Sequence, residues 1–298
     1  MGSLWPAVLV EAFAAAPLQG NGAAVVLLEQ PASAAWMQAV AASLQQSETA
    51  FLHRNDAGVW RLRWFTPSCE VPLCGHATLA ATVGLAHWGR LAPGQPLQLA
   101  SRSGALAVAL LEPPLPSGAC TASLVLPSSG MEPEPVPADL AQLIGAEVLA
   151  YWTSPLGYCV ALIAEDVALA ALPNPAAELR GPQRQGLVVM QSIAAGLVPL
   201  LGGSCDYQLR FFAPGLGIPE DPVTGSAHAL VAPWWMQRLG RPQVRGWQAS
   251  ARRGGMLCES AGSGLVRLTG VGQLLWDGRI NASGAGFDPS GWDAAVYL

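Results

Sequence analysis

The sequence contains no lysine: all 15 of its basic residues are arginines. Without a lysine amine the chain has no internal Schiff base, which excludes pyridoxal-phosphate and lysine-aldolase mechanisms. The lysine of a nucleotide-binding P-loop is missing for the same reason. The absence therefore removes a whole class of cofactor chemistry.

Charged residues are also scarce, at 12% of the 298 residues, whereas hydrophobic residues make up 51%. This balance predicts a large buried core and argues against disorder. The net charge of −5 provides no broad basic surface, so a nucleic-acid partner is not expected. The length suits one large domain or two of ordinary size.

Paired cysteines and closely spaced histidines are absent. No two of the six cysteines form a C-x-x-C pair, which favours reduced thiols in a cytoplasmic protein over a disulfide framework. The four histidines show no H-x-x-x-H spacing, so the pattern gives a metal site little support. The scattered cysteines are Cys69, Cys74, Cys120, Cys159, Cys205 and Cys258.

Long apolar runs are missing too. No uninterrupted run reaches the roughly 18 residues that a membrane helix needs, so no membrane partner is expected. Residues 1–18 are apolar, but no Lys or Arg precedes the run and Glu11 interrupts it. We therefore predict a first β-strand over residues 7–13 in preference to a signal peptide.

Two segments, half a chain apart, share one pattern. Residues 62–77 and 209–227 each contain Leu-Arg, an aromatic pair, a small residue and Pro. Each then continues with an acid, one residue, Pro, two residues, Gly, one residue and Ala. A repeat of this size indicates two similar domains related by a pseudo-twofold axis, not a solenoid. We predict domains over residues 1–118 and 119–282, followed by a tail over 283–298.

The repeated segments also predict local structure. Residues 61–65 and 207–212 are aromatic and alternating, which is typical of strands. The Pro and Gly that follow end each strand. The apolar residues 77–88 and 227–232 then indicate helices that are apolar on most faces and therefore buried. The predicted fold class is α+β, with each domain a mostly antiparallel β-barrel around a central helix.

Gly75 and Gly225 mark the two predicted helix starts. A helix start has unpaired backbone N–H groups and a partial positive charge, and Gly lets a ligand approach closely. Two such starts facing each other across a domain interface would form a cavity for a carboxylate. The alternative is ordinary N-capping by Thr224 and Ser226. Cys74 is expected to have a lowered thiol pKa at its helix start.

Three titratable residues are candidates for proton transfer. Glu48 lies between a helical pattern over 37–44 and a strand from residue 49, either exposed at the strand edge or held in a pocket. A pocketed carboxylate suits general acid/base work. His76 could position a substrate or share its proton. Asp221 could orient His76 or bind substrate; for both residues the alternative is simple helix-start electrostatics.

The motifs resemble those of the PhzF-like phenazine-biosynthesis isomerase family, which has the diaminopimelate-epimerase fold. The match runs in the expected order from about residue 7 to 280, and the stretch 220–228 is highly specific. The matching segments are 10–13, 20–25, 47–51, 63–67, 74–78, 210–228, 253–254 and 268–270. The resemblance implies two barrel domains, each around a central helix, with the active site between them.

The resemblance also implies a reaction. In the phenazine enzyme, a glutamate in the Ser-Glu-Thr motif moves a proton between two carbons of a dihydroxylated aminocyclohexadiene carboxylate. By position that glutamate is Glu48, which implies a cofactor-independent isomerase with a small carboxylate-bearing substrate. The supporting residues implied here are His76, Asp221 and Ser226, with Gly75 and Gly225 offering backbone N–H groups. A homodimer is implied at the family level.

Some features depart from the family or leave alternatives open. Related racemases use two opposed cysteines, whereas here only Cys74 fits and Thr224 or Val223 takes the partner position. An epimerase using Cys74 with Glu48, and a non-catalytic carboxylate-binding protein, remain the alternatives. Gly22 stands where the family usually has Pro, which should loosen a turn. The tail has no counterpart, and surface packing, dimer contact and disorder are all open for it.

Overall fold

The computed structural model describes residues 4–292, which divide into two compact units. The first unit contains residues 4–125 and 269–292, and the second contains residues 126–268. The first unit begins with two helices and eight strands. They are β1 (Leu4–Ala12), β2 (Asn21–Leu28), α1 (Ala34–Leu44), β3 (Glu48–Arg54), β4 (Trp60–Phe65), β5 (Glu70–Val71), α2 (Gly75–His87), β6 (Pro96–Ser101), β7 (Gly104–Leu110) and β8 (Ala119–Pro127).

The second unit has shorter strands and two more helices, and the last strand then leads back to the first unit. The elements are β9 (Glu132–Glu134), α3 (Leu140–Ile144), β10 (Val148–Thr153), β11 (Cys159–Ile163), β12 (Leu187–Ser192), β13 (Pro199–Leu200), β14 (Gly203–Ser204), β15 (Tyr207–Ala213), β16 (Ile218–Asp221), α4 (Gly225–Leu239), β17 (Gln243–Gln248), β18 (Gly254–Ser260) and β19 (Leu265–Asn281).

Eight strands of the first unit close into a barrel. The pairing runs from β1 through β2, β3, β4, β6, β7 and β8 to β19, which pairs with β1 again. Helix α2 is buried from Gly75 to Ala86 and packs against β1, β2, β3 and β7. Its all-round apolar sequence fits this enclosed position. The prediction of a central helix wrapped by strands is confirmed for this unit.

The second unit repeats the same order of pairings. Strands β11 and β12 are parallel, β12 and β15 antiparallel, β15 and β17 parallel, and β17 and β18 antiparallel. In the first unit the series from β2 to β7 alternates in the same way. Helix α4 again follows the repeated motif, and most of its residues up to Met236 are buried. The sequence duplication therefore corresponds to two units of one α+β fold.

The observed units differ from the predicted boundaries at both ends of the second domain. The change of unit falls after residue 125, and residues 269–282 belong to the first unit. The physical reason is that β19 pairs with β1 over Gln273 to Asn281, so its hydrogen bonds tie it to the first barrel. The repeated motifs lie at the centre of each unit and do not mark its edges.

The N-terminal apolar segment forms β1, as predicted, and Val8 and Val10 are fully buried. Gly22 lies inside β2, opposite Glu11, so it is a strand residue and loosens no turn. A Cβ added there would lie 2.9 Å from Gln46 Oε1, so the missing side chain leaves room for this glutamine. Within residues 4–292, none of the helices combines the length and apolarity needed to cross a membrane.

Each repeated motif contains a bidentate arginine–glutamate pair. Arg63 donates to both carboxylate oxygens of Glu70 at 2.7 and 2.8 Å, and Arg210 does the same to Glu220 at 2.8 and 2.7 Å. Each guanidinium also lies over the aromatic ring two residues later in its own strand, at 5.3 and 4.8 Å from the centroid. The acid of the motif is thus the partner of its arginine. The pair fixes the turn that leads into each central helix.

The described part of the tail, residues 283–292, packs on the first unit. Trp292 is 4% exposed, its Nε1 donates to Ala32 O at 3.0 Å, and its carbonyl accepts from Arg61. The Arg63 guanidinium lies 5.3 Å from the centroid of the Trp292 ring. Of the possibilities considered for the tail, packing on the surface of the domain is therefore the one observed for residues 283–292. Residues 293–298 lie outside the described residues.

Replacing Trp292 with Phe should lower the free energy of unfolding by about 2 kcal/mol, because it removes buried ring volume and leaves Ala32 O without its donor. Chemical denaturation measures the change. Phe287 lies in the same segment but is 68% exposed. Its replacement by Ala should change the free energy by less than about 0.5 kcal/mol. Equal effects of the two substitutions would mean that Trp292 does not anchor the tail.

Candidate active site

Glu48 is the first residue of β3 and is 8% exposed. Helix α1 ends at Leu44, and Gln45 takes a left-handed conformation with φ of 53° that turns the chain toward the strand. Strand β3 then pairs in parallel with β2, which places Glu48 opposite Ala23. Residues 48–53 of this strand are all buried, so the carboxylate lies within the barrel wall. Of the two positions expected for Glu48, the buried one is observed.

The side chains of His76, Cys74 and Asn21 form a polar cluster with Glu48 in the first unit. His76 Nε2 lies 2.9 Å from Glu48 Oε2, and His76 Nδ1 lies 3.5 Å from Cys74 Sγ. The amide of Asn21 lies 3.3 Å from His76 Nδ1 and accepts a hydrogen bond from Ser47 at 3.2 Å. Asn21, Cys74 and His76 are all at most 6% exposed. The structure thus joins the start of β2, the start of β3 and the first turn of α2.

The pKa values of this cluster follow from burial and charge. Burial raises the pKa of the Cys74 thiol to about 11, and the Glu48 carboxylate adds to the rise. The lowered thiol pKa expected from the helix start is therefore wrong, because desolvation outweighs the helix dipole. Burial opposes protonation of His76, but the adjoining Cys74 and Glu48 raise the pKa of this imidazole well above its ordinary value. The cluster thus favours an imidazolium beside Glu48 and a neutral thiol.

One oxygen of Glu48 has no aligned donor. The 2.9 Å contact with His76 is an ion pair by distance, but the ring N–H does not point at Oε2 well enough for a hydrogen bond. Glu48 Oε2 is buried and accepts no aligned hydrogen bond from residues 4–292. Burying a polar atom in this state is unfavourable unless another donor reaches it. Oε2 therefore has the capacity to accept a hydrogen bond from a ligand.

The corresponding helix start in the second unit is held by Gln248, which is fully buried. Its Oε1 accepts from the Thr224 backbone N–H at 2.8 Å, and its Nε2 donates to Asp221 O at 2.6 Å. Thr224 Oγ1 donates to Asp221 Oδ2 at 2.5 Å, and Ser250 Oγ lies 3.4 Å from Asp221 O. Asp221 and Thr224 thus form one hydrogen-bonded group just before Gly225.

Neither central helix begins with a side-chain cap. Cys74 and Thr224 occupy the N-cap positions, and neither side chain makes a capping hydrogen bond. Thr224 uses its hydroxyl for Asp221, and the Ser226 hydroxyl lies 3.3 Å from Tyr158 Oη. The capping alternative is therefore wrong for Thr224. Helix starts without a side-chain cap suit an incoming anion, because their N–H groups need an acceptor.

The structure brings the predicted site residues together as two groups, one in each unit. Glu48, Cys74, Gly75 and His76 lie together in the first unit, and Asp221, Thr224, Gly225 and Ser226 lie around one helix start in the second. The suggested contact between Asp221 and His76 stays a prediction, as do the roles of all eight residues in binding or catalysis.

Two residues of these groups were missed from the sequence. Asn21 is the first residue of β2, in the Gly-Asn-Gly segment 20–22, and its polar character in a buried strand was the available signal. Gln248 ends a separate strand, 24 residues after Thr224 in the chain. No local pattern connects it with the helix start.

Another buried histidine, His228, lies in helix α4. It is fully buried, and its Nδ1 lies 2.8 Å from Tyr207 Oη. Burial lowers the pKa of His228 to about 3, and a hydrogen bond with Gln248 opposes this only in part. At neutral pH the imidazole is therefore uncharged in both the folded and the unfolded chain.

This histidine should make the protein less stable in mild acid. Below about pH 6.5 the unfolded chain takes up a proton that the native His228 does not, so the free energy of unfolding falls as the pH falls. Between pH 7 and pH 5 the loss from this group should be about 2 kcal/mol. Urea unfolding of wild type and His228→Gln at both pH values measures it. The variant should lose less stability over this interval, and equal losses would contradict the assignment.

Comparisons with known proteins give a consistent result. The family model described as "Phenazine biosynthesis-like protein" matches residues 10–278. A protein of Pseudomonas aeruginosa named as an uncharacterised isomerase is 39% identical over 276 residues, which cover 92% of this chain and 97% of that relative.

Two solved structures are also similar. The crystal structure of a PhzF-family phenazine biosynthesis protein from Enterococcus faecalis has a TM-score of 0.80 at 30% identity, covering 93% of this chain and 99% of the other. A hydroxyproline epimerase from Agrobacterium vitis, with bound trans-4-hydroxy-L-proline, has a TM-score of 0.58 at 13% identity over the whole of both chains. At this identity the likeness shows the fold alone, which is the predicted diaminopimelate-epimerase-like fold.

Proposed function

The chain belongs to the phenazine biosynthesis-like protein family, and on that premise we propose that it is an isomerase that moves a proton on a small carboxylate-bearing metabolite without a cofactor. The name of its bacterial relative indicates an isomerase at the level of reaction class. The finer proposal concerns the acid/base group, for which we assign Glu48. The observation that carries it is the buried Oε2 of Glu48, which lacks an aligned donor and lies 2.9 Å from His76.

Among the groups of the cluster, Glu48 is better suited to proton transfer than Cys74. With a thiol pKa of about 11, Cys74 has very little thiolate at neutral pH and is a poor base. The His76 imidazole, whose pKa is raised, lies 2.9 Å from the Glu48 carboxylate and supplies a proton nearby. A single base implies that the proton is taken and returned on one face of the substrate, so the reaction proceeds without stereoinversion.

We propose that the helix starts bind the carboxylate of the substrate. Helix α2 begins at Gly75 without a side-chain cap, and His76 in its first turn favours the cationic form. Backbone N–H groups and a positive charge at one place favour an anion. We further propose that Asp221, Gly225 and Ser226 contribute to substrate binding, with Thr224 holding the orientation of Asp221.

Solvent-exchange measurements test the proposal. The protein is incubated in deuterated water with a panel of small carboxylates that carry an activated C–H, including cyclic diene carboxylates and α-amino acids. Proton NMR then follows the loss of C–H signals and the growth of an isomer. We expect isomerisation of a cyclic or unsaturated carboxylate, with part of the product retaining the original proton.

The same panel separates the alternatives. Racemisation of a free amino acid that disappears in Cys74→Ser would identify a thiol-dependent epimerase in place of the proposed reaction. Ligand-induced thermal stabilisation without exchange or turnover of any compound would instead indicate a non-catalytic carboxylate-binding protein.

A further inference from the structure

The cluster in the first unit contains three different types of metal ligand. Glu48 Oε2, His76 Nε2 and Cys74 Sγ each supply one atom, and these atoms all lie within 4.8 Å of one another. All three residues are at most 8% exposed. Histidine spacing in the sequence gave a metal site little support, because two of these ligands are not histidines and Glu48 is distant in the chain.

We propose that Glu48, His76 and Cys74 form an inhibitory site for a soft divalent transition-metal ion, of which Zn²⁺ is the expected occupant. A carboxylate, an imidazole and a thiolate are the ligand types that Zn²⁺ uses in proteins. Three protein ligands leave a fourth position open, as in zinc sites that exchange water or substrate.

Two of the three distances between the ligand atoms are within about 0.6 Å of those of a tetrahedral zinc site, and all three are within 4.8 Å. Zn²⁺ binds oxygen and nitrogen at about 2.1 Å and sulfur at about 2.3 Å, so adjacent ligand atoms are about 3.3 to 3.7 Å apart. Here His76 Nε2 lies 2.9 Å from Glu48 Oε2 and 3.9 Å from Cys74 Sγ. Side-chain rotations that lengthen the first of these distances and shorten the second would bring both pairs to zinc-binding separations.

The hydrogen bonding of Glu48 also favours a ligand at this place. Glu48 Oε2 is buried and accepts no aligned hydrogen bond from the described residues, although its neighbours are polar. A metal ion would satisfy this oxygen directly. On binding, the Cys74 thiol and the His76 imidazolium each release a proton to solvent, so that the ion meets a thiolate and a neutral imidazole.

The ion would stop the reaction, an effect that rests on the proposed function of Glu48. Coordination occupies the lone pair of Oε2 that accepts the substrate proton in the proposed reaction. The metal is thus a competitor of substrate at the acid/base group. In this proposal it has no part in the reaction itself.

Cobalt substitution tests the site without reference to activity. Titration of the wild-type protein with Co²⁺ should give a thiolate-to-cobalt charge-transfer band that saturates at one ion per chain and is displaced by Zn²⁺. Cys74→Ser should abolish the band. The near-isosteric Glu48→Gln should keep it at saturation but weaken metal binding by at least about tenfold, since loss of even a second-shell partner costs 10- to 100-fold.

Two control variants remove other candidate ligands. Cys69 is the exposed cysteine, and His87 lies with Asp277 at the surface. Cys69→Ser and His87→Gln should bind Co²⁺ as the wild type does. Absence of the band in the wild type, or its survival in Cys74→Ser, would overturn the site.

The metal experiment and the function experiment can fail separately. If Zn²⁺ binds but no carboxylate is isomerised, the result supports the metal site and contradicts the proposed function. Where turnover is observed, Zn²⁺ should inhibit it at the concentration that displaces Co²⁺, with recovery on adding a chelator. Turnover that is indifferent to saturating Zn²⁺ would overturn the inhibitory role.

Discussion

Glu48→Gln is expected to reduce the rate of substrate isomerisation and of solvent exchange by about 100- to 10,000-fold, the usual contribution of a general acid/base. The amide keeps the shape of the side chain but is a very weak base. The substrate contacts proposed for Gly75 and for the second helix start are unchanged by this substitution, so kcat should fall with little change in KM. Steady-state kinetics on a substrate identified by solvent exchange measures both parameters.

Glu11 provides a matched control for this substitution. It is also a buried glutamate of the first barrel, at 3% exposure. In the sheet, Glu11 lies opposite Gly22 of β2, whereas Glu48 lies opposite Ala23, the next residue of β2. Successive residues of a strand point to opposite faces of the sheet, so the side chains of Glu11 and Glu48 lie on opposite faces. Glu11→Gln should therefore retain kcat within a few-fold. A Glu48→Gln variant with unchanged kcat would remove Glu48 from the mechanism.

The duplicated motif predicts much of the fold because its signals are local. An Arg-aromatic strand, a Pro-containing turn and a Gly at a helix start determine structure within about ten residues, and both copies fold as expected. The acid of each motif was visible in the sequence, but its role was not. Only the structure shows that Glu70 and Glu220 are bidentate partners of Arg63 and Arg210.

The grouping of Glu48 with His76 depends on long-range topology. Strand β3 is inserted in parallel next to β2, and α2 then enters the barrel beside both strands. The family resemblance pointed to both residues, whereas their spacing alone did not. The contact of Gln248 with Thr224 could not be predicted from a local pattern, because it arises from the pairing of β17 with β15 and β18.

Desolvation accounts for the incorrect expectation about Cys74. A helix start lowers a thiol pKa when the thiol is partly hydrated. Here the apolar sequence of α2 buries its first turn inside the barrel, and an acidic neighbour adds negative charge. The hydrophobic pattern that correctly predicted a buried helix thus also implied a raised thiol pKa.

Arg210→Met is expected to destabilise the second unit by about 3 kcal/mol, because it leaves the partly buried Glu220 without its counter-charge. Arg210 is 6% exposed. Besides its two hydrogen bonds to Glu220, it donates to Leu172 O at 2.6 Å and to Leu169 O at 3.3 Å. The substitution removes all of these donors, and the aliphatic side chain of Met replaces only the volume.

The equivalent change in the first unit, Arg63→Met, should have a smaller effect. Glu70 retains a second arginine, since Arg102 Nη1 donates to its Oε2 at 2.9 Å. Among residues 4–292, the side-chain hydrogen bond left to Glu220 is a 3.4 Å contact with the Asn174 amide. The structural difference between the two copies therefore predicts the order of the two effects, independently of their absolute size.

Urea unfolding of the two variants, with amide hydrogen exchange to locate the loss of protection, measures both effects. The double variant Arg210→Met/Glu220→Met should recover part of the loss, because removing both charges leaves no unpaired carboxylate. The carbonyls of Leu169 and Leu172 still lack their donor, so recovery should be incomplete. If Arg63→Met proves the more destabilising, or if the double variant is no more stable than Arg210→Met, then ion pairing with Glu220 is not what makes Arg210 important.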